Sequence, residues 1–167
     1  MKKALLLALY LCMSASVFSQ KMSKDKNLLI SSIEKHKEEL IKISDSIWAL
    51  AETAFNETES SRILADYAEK NGLKVTRGVA EIPTAFTATY GSGSPVISIL
   101  GEFDALPGIS QKTSPIKEPF KEGAAGHGCG HNMFGTASLG SAIAIKELMD
   151  AGKITGTVKF LGTPAEE

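Results

Sequence analysis

The sequence has few cysteines, no hydrophobic run long enough to span a membrane and no excess of basic residues. Two cysteines in 167 residues exclude a disulfide framework. The apolar runs are shorter than the roughly 20 residues of a membrane helix, so we expect no membrane span. Lys and Arg number 18 against 19 Asp and Glu, so we expect no nucleic-acid partner. With 43% hydrophobic and 22% charged residues, the composition is typical of one globular domain.

The first residues have the pattern of an export signal. Lys2 and Lys3 precede a mostly apolar run, and small residues then lead to Ser19. We expect residues 1–19 to be a signal peptide that is cleaved after Ser19, and the mature protein to be periplasmic or secreted. Cys12 is a poor lipid-attachment site, because Leu11 occupies a position that such sites give to a small residue.

Removal of the signal would leave Cys129 as the single cysteine of the mature chain. A lone thiol in an oxidising compartment has three explanations: pairing with another molecule, burial as a structural residue, or a thiolate used in chemistry. The residues around Cys129, described below, decide among these explanations.

Hydrophobic periodicity predicts two helices in the first half. Apolar residues three or four apart predict a long amphipathic helix over residues 27–54, with His36 at the edge of its packed face rather than as a ligand. A second helix follows, for which Ser60 or Ser61 is the expected cap and Asn71-Gly72 the stop.

The remaining elements alternate between strands and a helix. Strands are predicted at residues 73–76, 85–90, 96–100 and 157–161, and a helix at 132–149. The strand at 96–100 is apolar enough to be buried on both faces. This order predicts an α/β fold with helices packed on a mixed, partly parallel sheet.

The clearest functional motif is Gly126-His-Gly-Cys-Gly-His-Asn132. Cys129 and His131 can converge from a looped backbone, and thiolate plus imidazole suits zinc or a similar divalent metal. A helix that begins near Asn132 would lower the pKa of the Cys129 thiol. His127 is a weaker ligand candidate. The alternative is a glycine-rich turn with a buried cysteine and a surface histidine.

Two further acidic motifs follow predicted strands. Glu166 and Glu167 end the sequence, and in extended backbone one can bind a metal while the other deprotonates its water. Glu102 and Asp104 lie two residues apart after the apolar strand, so both can orient a ligand or its imidazole. Each pair alone is also compatible with ordinary solvated carboxylates.

Four motifs in this order resemble the M20 peptidase family of metal-dependent amidohydrolases, and more narrowly its branch of aminobenzoyl-glutamate hydrolase subunits. The matching segments are Trp48-Ala-Leu-Ala-Glu-Thr-Ala-Phe55 with Glu57, Gly101-Glu-Phe-Asp-Ala-Leu-Pro-Gly108, Gly126-His-Gly-Cys-Gly-His-Asn132 and Gly162-Thr-Pro-Ala-Glu-Glu167. Asn132 replaces the Asp of much of the wider family, and Glu102 replaces a ligating His of the carboxypeptidase branch.

The resemblance implies a zinc-peptidase-like catalytic domain with two divalent metal ions, Zn or Mn. Cys129, His131 and Glu167 would be metal ligands and Glu166 the general base. Asp104, Glu102 and His127 would stand behind the ligands and orient them. The implied reaction is hydrolysis of the amide bond in N-acyl or N-aroyl amino acids, which are small-molecule substrates.

The resemblance also implies that residues 20–167 are the amino-terminal part of that catalytic domain, truncated before a dimerisation domain. The full-length protein would form a homodimer or hetero-oligomer, and this segment alone would be inactive. Cys129, His131 and Glu167 are indeed fewer ligands than two metal ions require. Two other hypotheses are a Cys129 nucleophile with a histidine base, and a catalytically incomplete metal- or peptide-binding module.

Overall fold

The computed structural model describes residues 23–167, so the expected signal peptide at residues 1–19 lies outside the described part. The elements in chain order are helix α1 (Lys24–Leu50), helix α2 (Thr58–Lys70), strand β1 (Lys74–Arg77), a 3₁₀ turn (Val79–Glu81), strand β2 (Phe86–Ser92), strand β3 (Val96–Glu102), helix α3 (His131–Asp150) and strand β4 (Gly156–Thr163). None of the helices within residues 23–167 combines the length and apolar character that crossing a membrane requires.

The four strands form one mixed sheet in the order β1-β2-β4-β3. β2 runs antiparallel to both β1 and β4, whereas β3 and β4 are parallel. Helix α3 connects β3 to β4, because parallel neighbours require a crossover connection. The predicted α/β class with a partly parallel sheet is therefore confirmed.

The hydrophobic core lies between the helices and one face of the sheet. Alternate residues of β4, including Val158 and Phe160, are buried on that face. The helices contribute Ile47 from α1, Leu64 from α2 and Leu139 from α3, all fully buried. This packing fixes α3 against β3 and β4, which in turn places the amino-terminal end of α3 beside the strand ends.

Strand β3 differs from the prediction that it is buried on both faces. Val96 and Leu100 are 56% and 50% exposed. β3 is an edge strand of the described sheet, and the described helices cover the face that carries Ile99 rather than the face that carries Leu100. Within residues 23–167 the predicted burial of both faces is therefore not observed, because an apolar run does not reveal which of its faces another described element covers.

The amino-terminal cap of α2 also differs from the prediction. The cap position is Glu57, so Ser60 and Ser61 lie inside the helix. The Glu52 carboxylate accepts hydrogen bonds from the backbone N–H groups of Glu59 (3.1 Å) and Ser60 (2.8 Å). Glu52 therefore satisfies the free N–H groups of the first turn, a function usually supplied by a capping serine.

Candidate metal centre

The candidate site lies where three elements meet at one edge of the sheet. β3 ends at Glu102, β4 ends at Thr163, and these two residues are paired in the parallel register. Helix α3 begins at His131, directly after the glycine-rich motif. The two acidic motifs and the Cys/His motif therefore lie at the same edge of the sheet. The carboxyl ends of parallel strands are where α/β proteins place their sites.

His131 is at the centre of the site. Its side chain is nearly buried, and its Nδ1 lies 2.9 Å from Oδ1 of the buried Asp104. A carboxylate can only accept, so the Nδ1–H group of His131 donates and Nε2 is left to face the site.

Three carboxylates surround Nε2 of His131. Oxygens of Glu102, Glu167 and Glu166 lie 3.1, 3.7 and 3.8 Å from this nitrogen. Burial raises the pKa of Glu102, and the negative charges of its acidic neighbours act in the same direction against the opposing effect of His131. Within residues 23–167, no lysine or arginine forms an ion pair with these three carboxylates. A cation between the imidazole nitrogen and the carboxylate oxygens would remove this repulsion.

The donor atoms are close enough to share a metal ion. Cys129, His131 and Glu167 each offer one ligand atom, and these atoms all lie within 4.8 Å of one another. Glu102, His131 and Glu166 form a second such group. Thiolate, imidazole and carboxylate are the ligands that zinc uses in proteins, so the chemistry of the site fits a divalent transition metal.

The Cys129 thiol does not have the lowered pKa that the sequence predicts. The side chain is exposed, and its hydrogen bond with Glu167, desolvation and the charges of Glu167, Glu166 and Glu102 raise the pKa. Helix α3 does begin two residues away, but the acidic neighbours oppose its dipole. The predicted lowering is therefore wrong for the protein alone.

Within residues 23–167, His127 has no hydrogen bond to the cluster, although it is close enough for the charges of His131 and Asp104 to influence its pKa. Its Nε2 lies 3.0 Å from the backbone carbonyl of Ile47, and burial lowers the pKa of the ring. A neutral ring therefore donates its Nε2–H to that carbonyl. His127 borders a cleft of about 500 Å³ together with Trp48, Ile109 and Phe120.

The segment that carries Glu166 and Glu167 is not simply extended, as the sequence suggests. Ala165 adopts a left-handed backbone conformation with φ of 59°, and both glutamates face His131. The Glu167 N–H donates to Oδ2 of Asp104 over 2.9 Å, and the Ala165 N–H donates to Oε1 of Glu57 over 2.9 Å. Glu57 belongs to the first of the four matching segments, but it has no chemical role in the sequence-based prediction. That match was the signal that could have marked Glu57, an acidic residue between two predicted helices.

The fold and donor set define an α/β protein with a candidate metal centre at the carboxyl edge of its sheet. Residues 99–167 match the family model described as Peptidase family M20/M25/M40. The chain is 45% identical over 136 residues to a subunit of the p-aminobenzoyl-glutamate hydrolase of Escherichia coli K12, with 81% of this chain and 28% of that protein covered. The chain belongs to the M20 peptidase family, which confirms the predicted resemblance.

Two further comparisons agree with this assignment. N-acetyl-L-cysteine deacetylase of Bacillus subtilis is 31% identical over 139 residues, with 83% of this chain and 32% of that protein covered. A solved Bacillus subtilis structure, described as a dinuclear metal-binding peptidase from the M20 family, has a TM-score of 0.67 and 26% identity, covering 80% of this chain and 36% of that one. The chain thus spans about a third or less of the length of these relatives.

Proposed function

We propose that this chain carries part of the active site of a metal-dependent amidohydrolase that cleaves the amide bond of N-acyl or N-aroyl amino acids, including aminobenzoyl-glutamate-like compounds. The observation that carries the proposal is the convergence of Cys129, His131 and Glu167 within 4.8 Å, with Glu166 beside them. The names of the relatives support an amide substrate, since one is an aminobenzoyl-glutamate hydrolase subunit and another a deacetylase.

The proposed cofactors are two divalent metal ions, Zn or Mn. Cys129, His131 and Glu167 would hold one of them, and residues of the longer protein would complete the set. The dinuclear metal-binding relative supports the number of ions. When bound, the metal would polarise the amide carbonyl and make a water molecule more acidic.

In this proposal Glu166 is the general base. Its side chain is 53% exposed and its Oε2 lies 3.8 Å from Nε2 of His131, so it can reach a water molecule beside the ligands. Glu166 would accept the proton of the attacking water and pass it to the nitrogen of the departing amine. Asp104 would keep Nδ1 of His131 protonated, so that Nε2 is the atom free to bind metal.

Hydrolysis of aminobenzoyl-glutamate by the full-length protein, with and without a chelator, tests the proposal. We expect EDTA to abolish turnover and added Zn or Mn to restore it. Turnover that survives EDTA and is lost with iodoacetamide would instead support a Cys129 nucleophile. Tight metal binding without turnover on any acyl amino acid would support a catalytically incomplete binding module.

We also propose that the protein is exported and that it works as an oligomer. The pattern of residues 1–19 supports cleavage after Ser19, and the name of the Escherichia coli relative, which describes one subunit of a hydrolase, supports a hetero-oligomer. Intact mass of the protein from its own source tests the cleavage. Light scattering with and without co-purified chains distinguishes a homodimer from a hetero-oligomer.

A further inference from the structure

Glu57 is a buried carboxyl that no step of the proposed reaction uses. The residue is 0% exposed, and within the described residues it forms no ion pair with a lysine or arginine. Its Oε2 has no hydrogen-bond partner, whereas its Oε1 accepts two backbone N–H groups. Burial of a carboxyl with one oxygen unpaired costs free energy, so the presence of Glu57 at this position requires an explanation.

The two donors are unusual in the same respect. Phe55 donates to Oε1 over 3.0 Å and Ala165 over 2.9 Å. Both have positive φ, 62° and 59°, although neither is glycine. Such conformations cost free energy and persist where the surroundings hold them. One oxygen of Glu57 therefore fixes two strained positions that are far apart in the chain.

The second of these positions directly precedes the acidic pair. Among the described residues, the backbone N–H groups between Thr163 and Glu167 are held by two side chains, Glu57 at Ala165 and Asp104 at Glu167. The conformation of Ala165 sets the direction in which the next two residues leave β4. Loss of the bond to Glu57 would free this turn while leaving β4 itself paired.

We propose that Glu57 is a positioning residue that holds Ala165 in its left-handed conformation and so presents the Glu166 and Glu167 carboxylates to the metal centre. This inference rests on the proposed function. It requires only that Oε1 accept two hydrogen bonds, so glutamine should replace glutamate, whereas a shorter side chain should not.

Cobalt binding to the full-length protein tests the proposal without measuring activity. Co²⁺ bound to a thiolate has a charge-transfer absorption that reports the Cys129 ligand and the geometry around it. For Glu57→Ala and Glu57→Asp we expect an altered spectrum and a Kd for Co²⁺ weakened by about 10–100-fold, the usual effect of removing a group that orders metal ligands. For Glu57→Gln we expect the wild-type spectrum and a Kd near that of wild type.

Glu52→Ala is the matched control. Glu52 also bonds to α2, through the N–H groups of Glu59 and Ser60, but in the described structure no hydrogen bond joins its side chain to residues 163–167. We expect it to lower the melting temperature and leave the cobalt spectrum unchanged. Glu57→Asp keeps an acidic residue at the helix cap, so it replaces Glu57→Ala in the cobalt measurement where the alanine variant does not fold.

A wild-type cobalt spectrum and Kd in a folded Glu57→Asp or Glu57→Ala protein overturns the positioning role while the proposed hydrolase stands. Equal weakening by Glu52→Ala also overturns it, because the effect would then come from general loss of stability. A wild-type protein that binds no divalent metal overturns the proposed function itself, and the role of Glu57 with it.

Discussion

Asp104 and Glu167 are joined by a hydrogen bond of 2.9 Å, from the backbone N–H of Glu167 to Oδ2 of the buried Asp104 carboxylate. The other oxygen of Asp104 accepts the Nδ1–H of His131 at the same distance. A single carboxylate thus connects the strand end of β4 with the first residue of α3. It holds the imidazole of one candidate ligand and the backbone of another in a fixed relation.

The two hydrogen bonds of Asp104 predict that Asp104→Asn weakens metal binding. Asparagine has one acceptor oxygen, so its amide NH₂ would face either the Nδ1–H of His131 or the N–H of Glu167. We expect metal affinity to fall by about 10–100-fold, measured by competition with a chromophoric chelator. Asp66→Asn, which changes an exposed carboxylate paired with Arg62 and Arg77, is the control and should bind metal like wild type. Undiminished affinity in Asp104→Asn would show that the two bonds are dispensable.

Glu166→Gln tests the proposed general base. Glutamine cannot accept the proton of the attacking water, so we expect kcat to fall by roughly 10²–10⁴-fold. Metal content should stay at the wild-type level, because the ligand group of Cys129, His131 and Glu167 is unchanged. Steady-state kinetics and elemental analysis of the same preparation measure both quantities. Glu122→Gln in an exposed loop is the control, and normal turnover in Glu166→Gln would remove this residue from the mechanism.

The close approach of α3 to the end of β3 predicts that alanine destabilises the protein more at Gly135 than at Gly140 of the same helix. A Cβ at Gly135 would lie 2.5 Å from the backbone carbonyl oxygen of Glu102, which cannot move without disturbing the strand end. We expect Gly135→Ala to lower the free energy of unfolding by about 1–3 kcal/mol, as overpacking does. Urea denaturation measures this value.

Gly140→Ala is the matched comparison. Its Cβ would lie 3.0 Å from the end of the flexible Leu40 side chain, which can shift. The gain in helix propensity from Gly to Ala is about 1 kcal/mol, so we expect a change in unfolding free energy close to zero or slightly favourable. Equal destabilisation by both variants would contradict the specific contact between α3 and β3.

A polar cluster near the carboxyl end of α3 predicts a pH dependence of stability. Glu147 bonds to Lys35 over 2.6 Å and to the half-buried His36 over 3.0 Å. Partial burial on its own raises the pKa of Glu147, but the bond from Lys35, with smaller contributions from Ser32 and His36, outweighs it and holds the pKa at about 2. Because the folded-state pKa is lowered, this stabilisation is present above the ordinary value of 4.5 and is lost as the pH falls towards 2.

Glu147→Gln should remove that part of the pH dependence. The shift corresponds to an upper bound of about 3 kcal/mol, and solvent screening at the exposed Lys35 reduces the expected loss at pH 7 to about 1 kcal/mol. The loss should shrink between about pH 4.5 and 2, where wild-type Glu147 becomes protonated. Urea denaturation at several pH values measures both. Glu34→Gln, which changes an exposed pair with Lys37, should follow the wild-type profile.

Several features were determined by the sequence alone because they depend on local patterns. The spacing of apolar residues in α1 and α3, and the Asn71-Gly72 stop of α2, depend on neighbours a few positions away. The glycine-rich motif and the two acidic motifs are likewise contiguous, so they could be identified as candidates and matched to the M20 family. The placement of the two acidic motifs at strand ends follows from the predicted order of strands and helix.

Other features depended on contacts between residues far apart in the chain, and only the tertiary structure decided them. The thiol pKa of Cys129 depends on the carboxylates of Glu102 and Glu167, and the exposure of Leu100 depends on which face of β3 the helices cover. Glu57 reaches Ala165 across 108 residues. Periodicity and motif spacing describe what each segment can do, but burial and electrostatics are properties of the assembled neighbours, and these are brought together only by folding.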